Sequence, residues 1–300
     1  MQNKISLKKD PIISLSESQI EQLIEKIKEK KELEHISASF VAQELSKFLI
    51  REFHLQQQLV KNFHEKSASF RITVKKVREL LRRSYGLFRG EKKAAERKEV
   101  MKKMQDGDTS EAPISQALTW HSSTDERRSF YVQLYTKIFQ ITGKPNKILD
   151  LGSGLNPLSI GFMRLRKLHY HALDINEEEV KLLNIFFEQE QKKKQYFSGK
   201  AEIFDITNTA KLSLLPAHDL AFLLKMSDIL DKGHGHRMTE LVIKSLPVSW
   251  VVVSFPTLTM SGKKMNYPRR KWIELMSQRL GYDFKLVEFE NELFYVIQKI

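Results

Sequence analysis

The fold of this 300-residue chain is decided by one segment, Lys147-Ile148-Leu149-Asp150-Leu151-Gly152-Ser153-Gly154-Leu155-Asn156-Pro157. An apolar run that ends in Asp-Leu-Gly-Ser-Gly is typical of the buried first strand of an α/β nucleotide-binding unit, where the strand meets a glycine loop. Glycines without a Cβ let such a loop bend sharply and let its backbone approach a ligand closely. The segment therefore predicts a strand followed by a ligand-binding turn, and an ordinary strand-to-helix turn is the alternative.

Acidic residues lie at the ends of three successive predicted strands. Asp150 precedes the glycine loop, Asp174 lies 20 residues after Gly154, and Asp205 ends the next apolar run. This spacing allows an acid to reach ribose hydroxyls in a βαβ unit, and acids at neighbouring parallel strand ends share one crevice. The third glycine of the dinucleotide fingerprint is missing, so the pattern favours an S-adenosylmethionine (SAM) site over an NAD site. Each acid could instead cap a helix.

The composition limits the possible classes of protein. The hydrophobic fraction of 41% is sufficient for a buried core, and the absence of cysteine excludes disulfides, thiolate metal sites and a cysteine nucleophile. The first ten residues lack an apolar signal core, and no stretch approaches 18 uncharged apolar residues. We therefore expect a soluble, cytoplasmic protein with no membrane partner. Scattered histidines have no convincing ligand set, so no metal is expected.

Positive charge is concentrated in a short part of the chain. Residues 51–103 carry 16 basic and 6 acidic side chains, and this net +10 is most of the total of +13. A helix predicted over 70–85 places an apolar stripe beside a basic one, rotated by about 100°. The apolar stripe is Phe70, Val74, Val77 and Leu81, and the basic stripe is Arg71, Lys75, Arg78 and Arg82. Such a row suits the phosphates of RNA, although a solvated Lys-rich surface has the same pattern.

The order of predicted elements gives a fold class and two domains. Residues 1–115 are expected to form a helical, basic RNA-binding domain, and residues 116–300 an α/β domain. Strands are predicted at 147–151, 169–174, 201–205, 219–224, 250–255, 283–288 and 293–298, with helices near 124–141, 158–167, 177–195, 236–245 and 268–279. This order matches a Rossmann-like class I SAM-dependent methyltransferase, with a seven-stranded, mostly parallel sheet and an N-terminal all-helical domain.

Five motifs in order resemble the 16S rRNA guanine-N7 methyltransferases that confer aminoglycoside resistance, the Arm/Rmt group. They are His121-Ser122-Ser123-Thr124-Asp125-Glu126-Arg127, Gly154-Leu155-Asn156-Pro157, Asp219 to Lys225, Ser254-Phe255-Pro256-Thr257 with Ser261-Gly262-Lys263-Lys264-Met265, and Glu292 to Ile297. The similarity covers roughly residues 30–300, including the basic helix. Each motif alone is weak, and their common order carries the resemblance.

The resemblance implies methylation of guanine N7 at position 1405 in the decoding-site helix of 16S rRNA on the 30S subunit, with SAM as cofactor, in an enzyme that acts as a monomer and gives aminoglycoside resistance. Arg127 would pair with the SAM carboxylate, Asp174 would hold the ribose with Ile175 as a further cofactor contact, and Asp205 and Ile206 would flank adenine. The other implied cofactor contacts are Asp150, Gly152, Ser153, Gly154, Phe222, Leu224 and Lys225, with Phe222 and Lys225 positioning the reactants. Ser261, Lys263, Lys264 and Met265 would contact the target RNA.

The chemistry of guanine N7 agrees with this interpretation. N7 carries a lone pair and no proton, so methyl transfer needs no general base, and we assign no acid–base residue. Lys225-Met226-Ser227-Asp228 stands after the fourth strand in place of the Asn/Asp-Pro-Pro-aromatic motif of exocyclic-amine methylases. Two alternatives stay open: a SAM-dependent methyltransferase that acts on another RNA or a small molecule, with a generic basic contact domain, and a catalytically silent RNA-binding module.

Overall fold

The structure is a computed structural model that describes residues 15–85, 94–231, 235–259 and 261–299. The chain forms two compact units, the first within residues 1–87 and the second within residues 88–300. In the described part of the chain, no helix combines the length and the apolar character needed to cross a membrane.

The first unit consists of helices in its described residues: α1 (Glu17–Lys28), α2 (Ala38–Arg51), α3 (Phe53–Lys61) and α4 (Ala68–Tyr85). A capping box between Ser16 and Gln19 begins α1. The predicted apolar stripe of α4 is buried, as expected. Helix α3 was not predicted, because only Glu52 separates it from α2 and neither glycine nor proline marks the break.

The division between the units lies nearer the N-terminus than the predicted boundary at 115–116. Two further helices, α5 (Ala94–Gln105) and α6 (Glu111–Leu118), belong to the second unit. Val100 and Met104 of α5 are fully buried in the core of that unit. The polar composition of residues 86–115 predicts a polar helix followed by a linker; α5 is that helix, but α6 lies where the linker was expected, and buried apolar side chains fix the segment to the α/β core.

The second unit contains the predicted mixed sheet. In the described residues its strands are β1 (Lys147–Leu151), β2 (Leu168–Asp174), β3 (Phe197–Ile203), β4 (His218–Leu224), β5 (Val248–Pro256), β6 (Asp283–Glu288) and β7 (Glu292–Gln298). Their order is β3-β2-β1-β4-β5-β7-β6. Strands β1 to β5 are parallel, and β7 pairs antiparallel with β5 and β6. The carboxyl ends of the parallel strands thus meet at one edge, which we call the carboxyl edge.

Helices cover both faces of the sheet. They are α7 (Ser122–Arg127), α8 (Tyr131–Thr142), α9 (Glu177–Lys193), α10 (Thr209–Leu212), α11 (Ser227–Asp231), α12 (Arg237–Ser245) and α13 (Lys271–Leu280). Alternating residues of β1 enter different cores, with Ile148 in one and Leu149 in the other. Burial on both faces explains the nearly continuous apolar runs of the central strands.

Three predicted elements differ from those observed. Strand β3 covers 197–203 rather than 201–205, and Gly199 within it packs against Phe187, where a Cβ would lie 2.6 Å from the ring. The helix predicted over 124–141 is interrupted between α7 and α8, where Phe130 stacks on Phe289 at 4.2 Å. After β1 the chain forms a 3₁₀ helix, Asn156–Met163, rather than an α-helix near 158–167. Pro157 lies in its first turn, where the missing N–H breaks no helical hydrogen bond.

Candidate active site

The glycine loop turns at the carboxyl end of β1 with two residues in the left-handed region. Gly152 has φ 60° and Gly154 has φ 48°. A Cβ on Gly152 would lie 2.5 Å from the Met226 side chain, and one on Gly154 would lie 3.0 Å from the His121 ring. The left-handed conformation is what favours glycine at these two positions. The Ser153 hydroxyl between them is buried and has no hydrogen-bond partner in the described structure.

Asp174 lies at the end of β2 beside this loop, as predicted. One carboxylate oxygen accepts the Gly154 amide at 2.8 Å, and the other accepts the Asn176 amide at 2.9 Å. Burial raises the pKa of Asp174 to about 6, and the nearby Glu179 carboxylate adds to the shift. An oxygen that accepts one backbone donor can accept a second. Asp174 is thus fixed in orientation and can still bind two hydroxyl groups.

A histidine–carboxylate pair that the sequence did not reveal lies against the glycine loop. The His121 Nε2 and Glu179 Oε1 atoms are 2.7 Å apart, and both side chains are buried. His121 precedes α7 and Glu179 lies in the first turn of α9. The pair joins two helices at the point where Gly154 passes the imidazole ring. His121 belongs to the first quoted motif, and that membership is the one sequence signal for its position.

Asp150 faces the protein interior rather than an open crevice. Its carboxylate accepts the Asn156 amide at 2.9 Å and the Tyr170 hydroxyl at 2.7 Å, and the side chain is almost completely buried. Burial raises the pKa of Asp150 to about 7, although both hydrogen bonds favour the ionised form. These contacts show Asp150 holding the start of the 3₁₀ helix; its predicted contact with a cofactor stays a prediction.

Arg127 forms a buried, bidentate ion pair with Glu292 of β7. Its Nε and Nη2 atoms lie 2.9 Å and 2.7 Å from the two carboxylate oxygens, and the two residues are 2% and 0% exposed. Burial alone would lower the pKa of Arg127, but the Glu292 charge raises it above its ordinary value. The guanidinium is therefore partly occupied within the protein. Nη1 is the nitrogen that this pairing leaves for another acceptor.

Lys225 follows β4 at the same carboxyl edge and extends this network. Its Nζ lies 2.5 Å from a Glu126 oxygen and 3.7 Å from a Glu292 oxygen. Its backbone has φ 55°, and its amide donates to the Ser254 hydroxyl at 3.0 Å. A left-handed conformation is uncommon for a non-glycine residue and is found at functional sites. Glu126 and Glu292 belong to two of the quoted motifs, but the contact of each with Lys225 becomes visible only in the folded chain.

The remaining predicted cofactor residues differ in accessibility. The Phe222 ring is fully buried and contacts Tyr135, so it supports the core rather than an open surface. Leu224 is half-buried, whereas Ile175 and Ile206 are buried. Asp205 lies two residues beyond the end of β3, and its carboxylate holds the Thr207 amide at 2.9 Å. Asp205 thus stabilises its own turn and is not a helix cap, since Asn208 is the N-cap of α10.

The predicted target loop is a short hairpin that follows β5. The Thr259 amide donates to Lys263 at 2.8 Å, and the Met265 amide donates to Thr257 at 2.8 Å. Ser261, Lys263 and Lys264 are exposed, and Met265 is half-buried. We call residues 257–265 the target hairpin. The hairpin follows the carboxyl end of β5, so its exposed lysines lie beyond the carboxyl edge.

Of the four cations in the predicted basic stripe of α4, two are bound to other groups of the protein and two are exposed. Arg78 caps the end of α1 by donating to the carbonyl oxygens of Ile27, at 3.2 Å, and Lys26. Arg82 is paired with Glu32 at 2.6 Å. Arg71 and Lys75 are exposed, and no ion pair to them occurs within the described residues. Arg78 is therefore corrected from an RNA-facing residue to a helix cap.

No group of three or more histidine, cysteine, aspartate or glutamate side chains within the described ranges is arranged to hold a metal ion. The polar groups that do converge, around Asp174 and the glycine loop, suit a polar organic ligand. A buried Ser153 hydroxyl without a partner and two carboxylate oxygens with spare lone pairs fit a ligand that carries hydroxyl and ammonium groups.

Comparisons with known proteins agree with this geometry. The chain is 29% identical over 199 residues to a 16S rRNA (guanine(1405)-N(7))-methyltransferase of Frankia casuarinae, over 65% of this chain and 66% of the relative. It is 23% identical over 243 residues to the enzyme of the same description from Proteus mirabilis, over 75% of this chain and 84% of the relative. The matched part thus spans about two thirds or more of these relatives.

Solved structures support the fold. The 16S rRNA methyltransferase RmtF, in complex with S-adenosyl-L-homocysteine, superposes with a TM-score of 0.70 and 21% identity, over 95% of this chain and 100% of that chain. The 16S rRNA methylase RmtB gives a TM-score of 0.68 with 21% identity, over 94% and 98% of the two chains. A family model described as ribosomal RNA methyltransferase (FmrO) matches residues 57–296, so this chain belongs to that family.

Proposed function

We propose that this protein is a SAM-dependent methyltransferase that methylates N7 of guanine 1405 in 16S rRNA. The observation that carries the proposal is the family match over residues 57–296, since it covers the carboxyl-edge site and the target hairpin. The names of the relatives specify the same base and the same atom. Aminoglycoside resistance is the expected consequence in cells, as the resemblance to the Arm/Rmt group implies.

The cofactor fits the carboxyl edge as follows. Asp174 accepts the ribose hydroxyls, with Ile175 beside it, and the turn Gly152–Gly154 surrounds the amino-acid part of SAM. Ile206 and Asp205 flank the adenine. Nη1 of Arg127, the nitrogen that is not bonded to Glu292, pairs with the SAM carboxylate, while Nε and Nη2 stay with Glu292. This division makes Arg127 both a fixed support and a ligand contact.

The reaction needs orientation rather than proton transfer. SAM, when bound, supplies a methyl group on a positively charged sulfur, and the N7 lone pair displaces that sulfur directly. The protein contributes by holding N7 in line with the methyl carbon, an effect that reaches about 7–11 kcal/mol in favourable systems. Lys225, fixed by Glu126 and Ser254, stands at the strand end where the two reactants must meet.

The target is proposed to be the assembled 30S subunit, and the protein is proposed to act there as a cytoplasmic monomer without a metal. Arg71 and Lys75 of α4 and Lys263 and Lys264 of the target hairpin are the exposed cations that support phosphate contacts. A base within a helix must leave its stack to be methylated, so one surface must hold the backbone while another receives the base.

The decisive experiment incubates the protein with labelled SAM and either 30S subunits or tRNA. Borohydride and aniline cleave RNA at N7-methylguanine, and primer extension locates the break. We expect a break at guanine 1405 and resistance to gentamicin and kanamycin in expressing cells. Transfer to tRNA alone, or to an adenine of the 30S subunit, would favour the alternative of another RNA substrate.

Charge reversal on α4 tests the RNA surface. Arg71→Glu with Lys75→Glu should weaken binding to 30S subunits and reduce the salt dependence by about one unit of slope per lost phosphate contact, while SAM binding is unchanged. Lys192→Glu on α9 is the matched control, since Lys192 is also an exposed helical cation. Equal affinity of the double variant and the control at all salt concentrations would make the stripe an ordinary solvated surface.

A further inference from the structure

One aromatic side chain that follows the target hairpin is almost wholly exposed. Tyr267 is 86% exposed, more than any other large hydrophobic side chain of the described residues. A phenol ring usually buries much of its surface or contacts a partner, because it carries a large apolar area. The nearby aromatic residues Phe255 and Trp272, by contrast, pack edge to face at 5.9 Å.

The backbone around Tyr267 is held firmly by Arg270. The Arg270 guanidinium donates to the carbonyl oxygens of Tyr267 at 3.3 Å, Pro268 at 2.8 Å and Pro256 at 3.3 Å. It also lies over the Phe255 ring at 5.3 Å, and its backbone amide donates to the Tyr295 hydroxyl at 2.7 Å. Proline at the next position restricts Tyr267 further. The exposed ring is thus presented from an ordered segment rather than from a loose loop.

The ring stands in a basic segment that begins at the reaction edge. The target hairpin connects β5 to this segment, and β5 holds the Lys225 amide through Ser254. Lys263 and Lys264 are exposed, and neither forms an ion pair within the described part of the chain. Arg269, by contrast, is paired with Glu274 at 2.8 Å. An exposed aromatic ring combined with free cations is the chemistry of single-stranded nucleic acid binding, in which bases stack and phosphates pair.

We propose that Tyr267 stacks on a nucleobase of the RNA substrate, next to the base that is methylated. This inference rests on the proposed function. The ring, rather than the hydroxyl, makes the contact, because a stack needs the flat apolar face. Stacking holds the opened RNA strand while the target base is in the site, and it has little sequence preference.

The test compares single variants in methyl transfer to 30S subunits and in binding of 30S subunits. Tyr267→Ala should lower kcat/KM for 30S subunits about 10- to 100-fold, the range of one lost stack. Tyr267→Phe and Tyr267→Trp should keep activity within about threefold. SAM affinity, measured by calorimetry, should be equal in all variants, which separates a role in RNA binding from damage to the fold.

Tyr196→Ala is the matched control. Tyr196 is 63% exposed and directly precedes β3, at the end of the sheet opposite to the carboxyl edge. It should methylate 30S subunits at the wild-type rate. In addition, the fluorescence contributed by Tyr267→Trp should be quenched when 30S subunits are added, because stacked bases quench an indole.

The outcomes for this inference and for the proposed function differ. Normal methyl transfer by Tyr267→Ala would overturn the stacking role and leave the proposed function intact. Wild-type protein that fails to methylate guanine N7 in 30S subunits would contradict the proposed function. In that case the binding measurement still decides the inference, since equal affinity of wild type and Tyr267→Ala for 30S subunits would overturn it.

Discussion

Two regions of the second unit bury ionisable side chains but use them differently. The carboxyl-edge network consists of Asp150, Asp174, Arg127 and Glu292, and each member is held in one orientation by protein donors or acceptors. The histidine cluster consists of His169, His171 and His218, whose rings approach one another at 5.7 and 6.2 Å. Burial lowers the pKa of all three imidazoles, and that of His218 to about 4.

The comparison teaches that a shifted pKa does not by itself indicate function. Both regions contain strongly shifted groups because both are desolvated. In the histidine cluster, the His218 Nδ1 bonds to the Pro216 carbonyl oxygen at 2.7 Å and its Nε2 faces the interior without a partner in the described structure. At the carboxyl edge, spare lone pairs of Asp174 lie beside a loop of backbone amides. Burial is common to the two regions. They differ in where their unused polar atoms face, which is the glycine loop for Asp174 and the packed interior for His218.

The largest expected difference concerns the ion pairs. Glu292→Gln leaves the charge of Arg127 buried without its counter-charge, and we expect a loss of about 3–5 kcal/mol in the free energy of unfolding. Glu202→Gln, which breaks the pair with His171, should cost about 1 kcal/mol or less, since Glu202 is 46% exposed. Urea unfolding of both variants measures this. Similar losses in the two variants would show that the Arg127–Glu292 pair contributes no more to stability than the His171–Glu202 pair.

The second difference concerns two aspartates that make similar contacts. Asp174 accepts two backbone amides, and Asp219, next to the histidine cluster, accepts the amides of Asn146 and Lys147 at 2.7 and 2.9 Å. Asp174→Ala should weaken SAM binding about 10- to 100-fold, because ribose hydroxyls would lose their acceptor. Asp219→Ala should lower stability and leave SAM binding unchanged. Calorimetry on both variants decides whether Asp174 belongs to the site.

A third prediction concerns Asp150 and the dependence of stability on pH. Its pKa is about 7 in the folded protein and near 3.8 in the unfolded chain, so the folded state binds more protons between these values. Its contribution to stability is therefore complete below pH 3.8 and is lost as the pH rises toward 7, by at most about 1.4 kcal/mol per pH unit. Asp150→Asn keeps the acceptor oxygen for Asn156 and Tyr170 and should remove this loss. Chemical unfolding between pH 4.5 and 7 measures the slope, and an unchanged slope would contradict the prediction.

His218 should give a smaller total change in stability, of the opposite sign. Its pKa is about 4 in the folded protein against 6.5 in the unfolded chain, so the unfolded state binds more protons in this window. Stability from this group is complete above pH 6.5 and is lost as the pH falls through 4. His218→Asn, whose amide can replace Nδ1, should resist acid better than the wild type. Thermal unfolding at pH 7.5 and pH 5 tests this; an equal decrease in Tm in both proteins would assign the acid sensitivity to other groups.

Much of the site was predictable because its signals are local. The Gly152–Gly154 turn and Asp174 follow from backbone geometry and from the spacing of a βαβ unit, and the structure has both at the carboxyl edge. The apolar stripe of α4 follows from helical periodicity and is buried as predicted. In contrast, Arg78 looked like one more exposed cation. Its role as a cap of α1 depends on a helix about 50 residues away in the sequence, and no local pattern encodes that contact.

The sequence by itself determined the class of fold, the family and the position of the ligand-binding turn, since these depend on residue types at short fixed spacings. Tertiary structure alone decided which charges are available. Arg127 meets Glu292 across 165 residues, Glu126 meets Lys225 across 99, and His121 meets Glu179 across 58. Charges separated by such distances along the chain pair only after the sheet has formed, because its strand order brings their elements to one edge. The exposed ring of Tyr267 is a further case, since exposure is a property of the packed molecule and not of the residue.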